Sequence, residues 1–161
     1  MMPLITPKDV IGQVEQVSFP VLNINSVYAR IDTGAKTSSV YASKAYIYNN
    51  ALNVIFFGSE NEHYTGSVHT FSDYGSTIVA SSNGMLQQRY KVKLKVVLNQ
   101  RIINATFTLA DRSMQVYPVL VGRNILRGKF IVDVNKGNPL KIKEAMRTEQ
   151  IAEQINQRIL L

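Results

Sequence analysis

The chain has 161 residues, of which 45% are hydrophobic, and it carries a formal net charge of +7 at pH 7. These values are typical of one folded domain and exclude a disordered tail, while the positive charge favours anionic partners. Cysteine is absent, which excludes disulfides, thiolate zinc sites and cysteine nucleophiles.

Membrane insertion and secretion are not expected. No apolar run approaches the ~20 residues that a membrane-spanning helix needs. Residues 1–8 lack the basic segment followed by an apolar segment that defines a signal peptide. We therefore expect a cytoplasmic protein with no membrane partner.

The first part of the chain predicts strands that lead to an acidic turn. Residues 10–19 alternate loosely, and residues 27–31 place Val27, Ala29 and Ile31 on one side of a second strand. That strand breaks abruptly at residues 32–34, Asp-Thr-Gly. A carboxylate after a buried strand is costly unless hydrogen bonds surround it, and glycine lets a second backbone approach closely. The turn therefore predicts one acid held at the mouth of a β-structure.

Residues 40–80 predict a hairpin and two shorter strands. Residues 40–48 and 52–57 are rich in β-branched and aromatic side chains and are separated by Asn49-Asn50, which predicts a hairpin. Residues 58–67 are polar and predict a loop, with short strands at 68–71 and 77–80.

A second hairpin turn at Asn83-Gly84 introduces the longest predicted strand, residues 85–98. Its apolar side chains alternate with basic ones. The apolar set is Tyr90, Val92, Leu94, Val96 and Leu98, and the basic set is Arg89, Lys91, Lys93 and Lys95. A period of two predicts a half-buried antiparallel strand, and its basic row is either a solvated face or an anion-binding surface.

The remaining strands and a terminal helix complete the prediction. Asn99-Gln100 turns the chain into a strand at 102–109, and an apolar strand ends at Gly122, before a short helix. Asn138-Pro139 is typical of a helix start, and residues 140–160 have apolar side chains at near-helical spacing. We divide the chain into a β-domain, 1–137, and an amphipathic helix, 138–161, that caps the β-domain, makes a dimer contact or binds another partner.

Two motifs resemble retropepsin-type aspartic proteases. They are Ile-Asp-Thr-Gly-Ala at 31–35 and Val-Leu-Val-Gly-Arg-Asn-Ile-Leu at 119–126. With Lys-Thr-Ser at 36–38, Ser-Ser-Asn-Gly at 81–84, Arg89-Tyr90 and residues 108–114, the chain resembles a bacterial retropepsin-like family once labelled "ATP-dependent zinc protease". The resemblance implies a mainly β, retropepsin-like closed barrel, and some members trim glutamate tails added to a small-subunit ribosomal protein.

The resemblance implies an aspartic-type peptidase in which Asp32 is catalytic and Thr33 and Gly34 support it. Hydrolysis by carboxylates needs two acids that share a proton, and the chain has one Asp-Thr-Gly. The resemblance therefore implies a homodimer in which each chain gives one aspartate. Asp111 and Asp133 remain alternatives for a second acid within one chain.

The expected substrate is an acidic, glutamate-rich peptide or protein tail. Lys36 stands where retroviral enzymes place an acid that pairs with the arginine of the Gly-Arg motif, so Arg123 lacks that partner. Both cations are candidates to bind carboxylates, and the hairpin at 81–84 would be a flap. The predicted substrate-binding residues are Ala35, Lys36, Thr37, Ser82, Arg89 and Arg123.

Other chemistries fit the sequence less well. A zinc protease needs His-Glu-x-x-His, whereas the histidines here are His63 and His69, which could gather a metal with Glu60 and Glu62 only in a polar loop. We expect no metal and no other cofactor. A non-catalytic module that binds acidic peptides is the alternative function. Nucleic acid is not expected, because the aromatic residues Tyr28, Tyr41, Tyr46 and Phe56 do not interleave with the basic strand to make a stacking platform.

Overall fold

The computed structural model describes residues 6–81 and 83–159. This part of the chain forms eleven strands, one 3-10 turn and two α-helices. The strands are β1 (Asp9–Ile11), β2 (Val14–Phe19), β3 (Ile24–Ile31), β4 (Ser38–Tyr48), β5 (Ala51–Phe56), β6 (Val68–Phe71), β7 (Tyr74–Ala80), β8 (Leu86–Leu98), β9 (Arg101–Ala110), β10 (Val119–Val121) and β11 (Phe130–Val132). The helices are the 3-10 turn Pro20–Leu22, α1 (Arg123–Leu126) and α2 (Lys141–Ile159).

Six strands form a hydrogen-bonded ring, which we call the strand ring. Its order is β10-β3-β2-β8-β9-β4, and β4 pairs again with β10. The short strand β10 closes the ring because it runs parallel to β3, with Leu120 opposite Arg30, and antiparallel to β4, with Val119 opposite Val40. Strands β5 and β6 extend the sheet beyond β4, and β7 pairs with β8. The predicted mainly β fold with a C-terminal helix is confirmed.

The interior of the strand ring holds the apolar core. On β8, Val92 and Leu94 are buried while Lys93 and Lys95 are exposed, as the period of two predicts. The rings of Phe19 and Phe107 meet edge to face in this core, with centroids 5.4 Å apart. Strands β3 and β4, which border the acidic turn, place Ala29 and Val40 in the same core and are anchored by them.

The residues at the centres of two predicted hairpin turns adopt the left-handed backbone conformation. Asn49 and Asn50 have φ of 51° and 58°, and Asn99 and Gln100 have φ of 49° and 67°. Two successive residues in the left-handed region match the right-handed twist of the paired strands, and asparagine adopts this region more readily than most residues. The hairpins β4–β5 and β8–β9 confirm both predictions.

One predicted strand divides in two. The sequence predicts a continuous strand over 10–19, whereas β1 ends at Ile11 and β2 begins at Val14. The segment at 136–138 crosses here, where Gln13 N–H donates to the carbonyl oxygen of Lys136 at 2.9 Å. A Cβ on Gly12 would lie 2.2 Å from that backbone. Strand β1 consequently leaves the strand ring and pairs with β11 in a separate two-stranded sheet.

Helix α2 is attached at its first turn to the loop that precedes β10. The hydroxyl of Tyr117 donates to Glu144 Oε1 at 2.5 Å and accepts from Leu140 N–H at 2.8 Å. No residue of α2 is fully buried, and Ile142 is 80% exposed. The division into 1–137 and 138–161 stays a prediction. No helix within residues 6–81 and 83–159 is long and apolar enough to cross a membrane.

Candidate active site

Asp32 lies at the end of β3, in a turn built by its own backbone. Its Oδ1 atom accepts hydrogen bonds from Gly34 N–H at 2.9 Å and Ala35 N–H at 3.2 Å. A Cβ on Gly34 would lie 3.2 Å from this oxygen, so glycine keeps the turn tight. Asp32 Oδ2 accepts no hydrogen bond within the described ranges. One oxygen of the half-buried carboxylate is therefore held by the turn, and the other has no hydrogen-bond donor among the described residues.

Strand β10 and helix α1 hold this turn in place through backbone hydrogen bonds. Asp32 N–H donates to the carbonyl oxygen of Val121 at 2.9 Å, and Arg123 N–H donates to that of Ala35 at 2.8 Å. A Cβ on Gly122 would lie 2.4 Å from the carbonyl oxygen of Thr37. Only glycine allows so close an approach of two backbones, and the turn is thereby positioned by a rigid part of the sheet.

A hydrogen-bonded pair, Ser38 and Asn124, connects the start of β4 to Gly122 and helix α1. The sequence did not predict this pair. The hydroxyl of Ser38 accepts from Gly122 N–H at 2.9 Å and donates to Asn124 Oδ1 at 2.7 Å. Asn124 Nδ2 in turn donates to the carbonyl oxygen of Thr106 on β9, at 2.9 Å. Ser38 is fully buried. The sequence feature that could have identified Ser38 as a site residue is its position at the end of the Lys-Thr-Ser motif.

Arg123 braces the acidic turn through backbone carbonyls. Its Nη1 atom donates to the carbonyl oxygens of Gly34 at 3.0 Å and Thr33 at 3.4 Å. Lys36 is exposed and makes no hydrogen bond or ion pair with other described residues. Arg123 also lines, with Lys8, Thr33 and Arg127, an open cavity of about 370 Å³ beside the turn. The substrate-binding roles of Lys36 and Arg123 stay predictions, as do those of the half-buried Ala35 and Thr37.

Two half-buried arginines lie within electrostatic reach of each other, and one of them, Arg112, also interacts with the charge of Asp32. Arg89 on β8 donates through Nη2 to Gln87 Oε1 at 3.0 Å, and Arg112 donates through Nε to the carbonyl oxygen of Tyr117 at 3.0 Å. Burial and the charge of Arg89 lower the pKa of Arg112 to about 10, although the Asp32 carboxylate acts in the opposite direction. Burial also lowers the pKa of Arg89. The guanidinium of Arg112 therefore stays cationic at neutral pH.

Neither arginine has an acidic partner in the part of the chain that the structure describes. The neighbouring carboxylate of Asp111 accepts from Ser113 N–H at 2.9 Å instead, and hydrogen bonds from Ser113 lower its pKa. Cations that are partly desolvated and unpaired are typical of sites that bind an anionic ligand. Arg112 was missed as a site residue, and its only sequence signal was its position within the 108–114 motif.

The residues of the expected flap form the β7–β8 hairpin, and its role as a flap stays a prediction. Ser81 N–H donates to the carbonyl oxygen of Met85 at 2.8 Å, and Gly84, with φ of 80°, donates to that of Ser81 at 2.9 Å. Arg89 lies on this hairpin, opposite Thr77 of β7. The predicted contact of Ser82 with substrate falls outside the described residues. Exposed apolar side chains near the tip, such as Leu86, suit a flap that covers a ligand.

The two histidines contact aromatic rings. His63 packs against Phe57, with ring centroids 5.7 Å apart, and His69 against Phe56 at 5.6 Å. Burial lowers the pKa of His69. Within residues 6–81 and 83–159, no group of three or more His, Asp or Glu side chains could hold a metal ion.

We expect that a chelator leaves any peptidase activity unchanged, because the chemistry assigned to Asp32 needs no metal. The measurement is the cleavage rate of a glutamate-tailed peptide before and after treatment with EDTA. Activity that is lost with EDTA and restored by zinc would contradict the aspartic mechanism.

The sequence profile of the RimB-like family, described as the retropepsin-like aspartic endopeptidase RimB, matches residues 10–143. The chain belongs to the RimB-like family. The matched range includes the acidic turn, β10 and Gly122, and it ends within the first turn of α2. The predicted retropepsin-like fold is therefore confirmed.

Longer relatives of this RimB-like chain are named "Probable alpha-L-glutamate ligase". The protein from Desulfotalea psychrophila is 28% identical over 139 residues, which are 78% of this chain and 28% of that protein. The one from Shewanella halifaxensis is 27% identical over 157 residues, which are 89% of this chain and 32% of the relative. The RimB-like chain thus spans less than a third of the length of these two ligases.

A solved structure shares the fold. It is a Legionella pneumophila protein of unknown function, described as DUF785, with a TM-score of 0.62 and 23% sequence identity. The alignment covers 81% of the RimB-like chain and 96% of the Legionella chain.

Proposed function

We propose that this RimB-like chain is an aspartic-type peptidase that acts on acidic, glutamate-rich peptide or protein tails. The observation that carries the proposal is the acidic turn, in which two backbone N–H groups hold Asp32 Oδ1. Gly122 and Arg123 support that turn from β10 and α1. The proposed setting is the bacterial cytoplasm, with a glutamate-tailed ribosomal protein as the substrate that the family resemblance implies.

The proposed catalyst is a homodimer, because peptide hydrolysis by carboxylates needs two acids and each chain supplies one Asp-Thr-Gly. One Asp32 carboxylate takes a proton from water, which attacks the carbonyl carbon of the substrate. The Asp32 of the other chain, which is protonated, donates its proton to the carbonyl oxygen. Collapse of the resulting diol breaks the C–N bond. The departing amine takes the proton that the first Asp32 accepted from water, and a hydroxyl of the diol returns a proton to the second Asp32.

Positive charge supports an acidic substrate. The chain carries +7 at pH 7, and Arg89 and Arg112 have no ion-pair partner among the described residues. A carboxylate that enters this site gains charge-assisted hydrogen bonds from groups that are already partly desolvated. The relatives' names also concern glutamate, which supports this amino acid as the one recognised.

A non-catalytic module that binds acidic peptides is the second candidate function. The single Asp-Thr-Gly favours it, because a monomer cannot assemble a pair of these turns. The length of the ligase relatives also favours a binding module. In those relatives the matched region is less than a third of a protein that is named for another activity. Such a module would use the same arginines to hold an acidic tail.

The deciding experiment compares two peptides that differ only in charge. One ends in six glutamates and the other in six glutamines, and mass spectrometry records shortening of each. We expect the glutamine tail to be cleaved at least about 10-fold more slowly, since it forfeits charge-assisted hydrogen bonds of about 1.5–3 kcal/mol each.

Equal cleavage of the two tails would contradict an acidic substrate. Binding of the glutamate tail without cleavage, by a chain that light scattering shows to be a monomer, would favour the binding module. Failure both to bind and to cleave would contradict both candidate functions.

A further inference from the structure

A second basic cavity lies between helix α2 and the strand ring. Its volume is about 290 Å³, and it is open to solvent. Three cations line it: Arg112 from the loop before β10, and Lys143 and Arg147 from α2. The acidic side chain in its lining is Glu60, which belongs to the loop after β5. Three positive charges therefore meet one negative charge around this space.

Arg147 has an unsatisfied donor in this cavity. The side chain is half-buried, and its Nη1 atom is fully buried without a hydrogen-bond partner in the described part of the chain. A buried guanidinium N–H without an acceptor is costly, and an anion that enters the cavity would remove that cost. Lys143 lies four residues earlier on the same helix face, so both cations point toward the same space.

Glu60 does not neutralise these cations. Its Oε1 atom accepts a hydrogen bond from the hydroxyl of Tyr41 at 2.7 Å. Burial and that hydrogen bond raise the pKa of Tyr41 to about 12, so the hydroxyl keeps its proton at neutral pH. Glu60 makes no ion pair with Arg112, Lys143 or Arg147 as the structure describes them.

Arg112 lies within electrostatic reach of the acidic turn. It lines the cavity, and the charges of Asp32 and Arg89 both act on its guanidinium. We propose that the cavity is a second subsite, in which Arg112, Lys143 and Arg147 bind carboxylates of an acidic tail at a distance from Asp32. The choice of tail rests on the proposed function, whereas the subsite itself does not require hydrolysis.

Part of this subsite lies outside the region that defines the family. The family match ends at residue 143, whereas Arg147 and Gln150 of the lining follow it. The subsite is therefore inferred from this chain's own C-terminal helix. It assigns to α2 a role as a recognition element held against the strand ring by Tyr117 and Glu144.

The test measures binding without cleavage. The 161-residue chain carrying Asp32→Asn is titrated into fluorescein-labelled hexaglutamate, and fluorescence polarisation gives the Kd. Adding Lys143→Gln and Arg147→Gln together is expected to raise the Kd about 10-fold or more, because two charge-assisted contacts are lost. Arg158→Gln, on the last turn of the same exposed helix, is the matched control and should leave the Kd unchanged.

Circular dichroism verifies that α2 remains helical in each variant. An unchanged Kd for the double variant would overturn the subsite, even if the wild type cleaves glutamate tails. A weakened Kd would support it, even if no variant or wild type cleaves anything. Tighter binding of inorganic phosphate than of hexaglutamate at this site would show that peptide carboxylates are the wrong ligand.

Discussion

Replacing Asp32 with asparagine is expected to slow cleavage of a glutamate-tailed peptide by at least about 10³-fold while the fold stays intact. Asparagine keeps the size of the side chain and an oxygen that can accept from Gly34 and Ala35 N–H. It cannot take a proton from water or share one with a second carboxylate. Mass spectrometry of the peptide measures the rate, and thermal unfolding verifies the fold.

Asp111→Asn and Asp133→Asn are the matched controls. Each carboxylate accepts a hydrogen bond from a backbone N–H two residues later, Ser113 for Asp111 and Asn135 for Asp133, both at 2.9 Å. Asparagine can preserve these local contacts, so we expect rates within about twofold of the wild type. Loss of activity in either control would indicate a second acid within the chain. Full activity of the Asp32 variant would place the chemistry elsewhere.

Gly122→Ala is expected to lower the free energy of unfolding by about 3 kcal/mol or more and to abolish cleavage. The added methyl group would lie 2.4 Å from the carbonyl oxygen of Thr37 and 2.9 Å from that of Ala35. Both atoms belong to the backbone that follows Asp32, so relief of the clash must displace the acidic turn. Urea unfolding measures the stability, and the peptide assay measures activity.

Gly75→Ala serves as the control for this substitution. A Cβ at Gly75, on β7, would lie 2.9 Å from Cε of Lys91, the far part of a flexible side chain. Because that side chain can move, we expect a change below about 1 kcal/mol. Equal destabilisation by the two substitutions would show that the contact under the acidic turn has no special importance.

Features that depend on neighbouring residues were predictable from the sequence. The alternation along β8, the paired turn residues at 49–50 and 99–100, and the Asp-Thr-Gly turn all follow from local backbone preferences and from which face is apolar. The mainly β class and the position of Asp32 followed from them, whereas the retropepsin-like fold was implied by the family resemblance. Helix α2 was likewise predictable from the spacing of its apolar residues within one segment. Its start was not, because the helix begins at Lys141 and not at Pro139, where the sequence pattern placed the first helical residue.

Features that depend on contacts between distant segments required the tertiary structure. The closure of the strand ring by β10, the departure of β1 at Gly12, and the Ser38–Asn124 hydrogen bond join residues far apart in the chain. No local pattern reports such pairings, because their stability comes from packing and hydrogen bonds that form only once the sheet is assembled. The burial of Arg112 and Arg147 is of the same kind. In the sequence each is an ordinary charged residue. Only in the folded chain is each guanidinium partly shielded from water, with no acidic partner among the described residues.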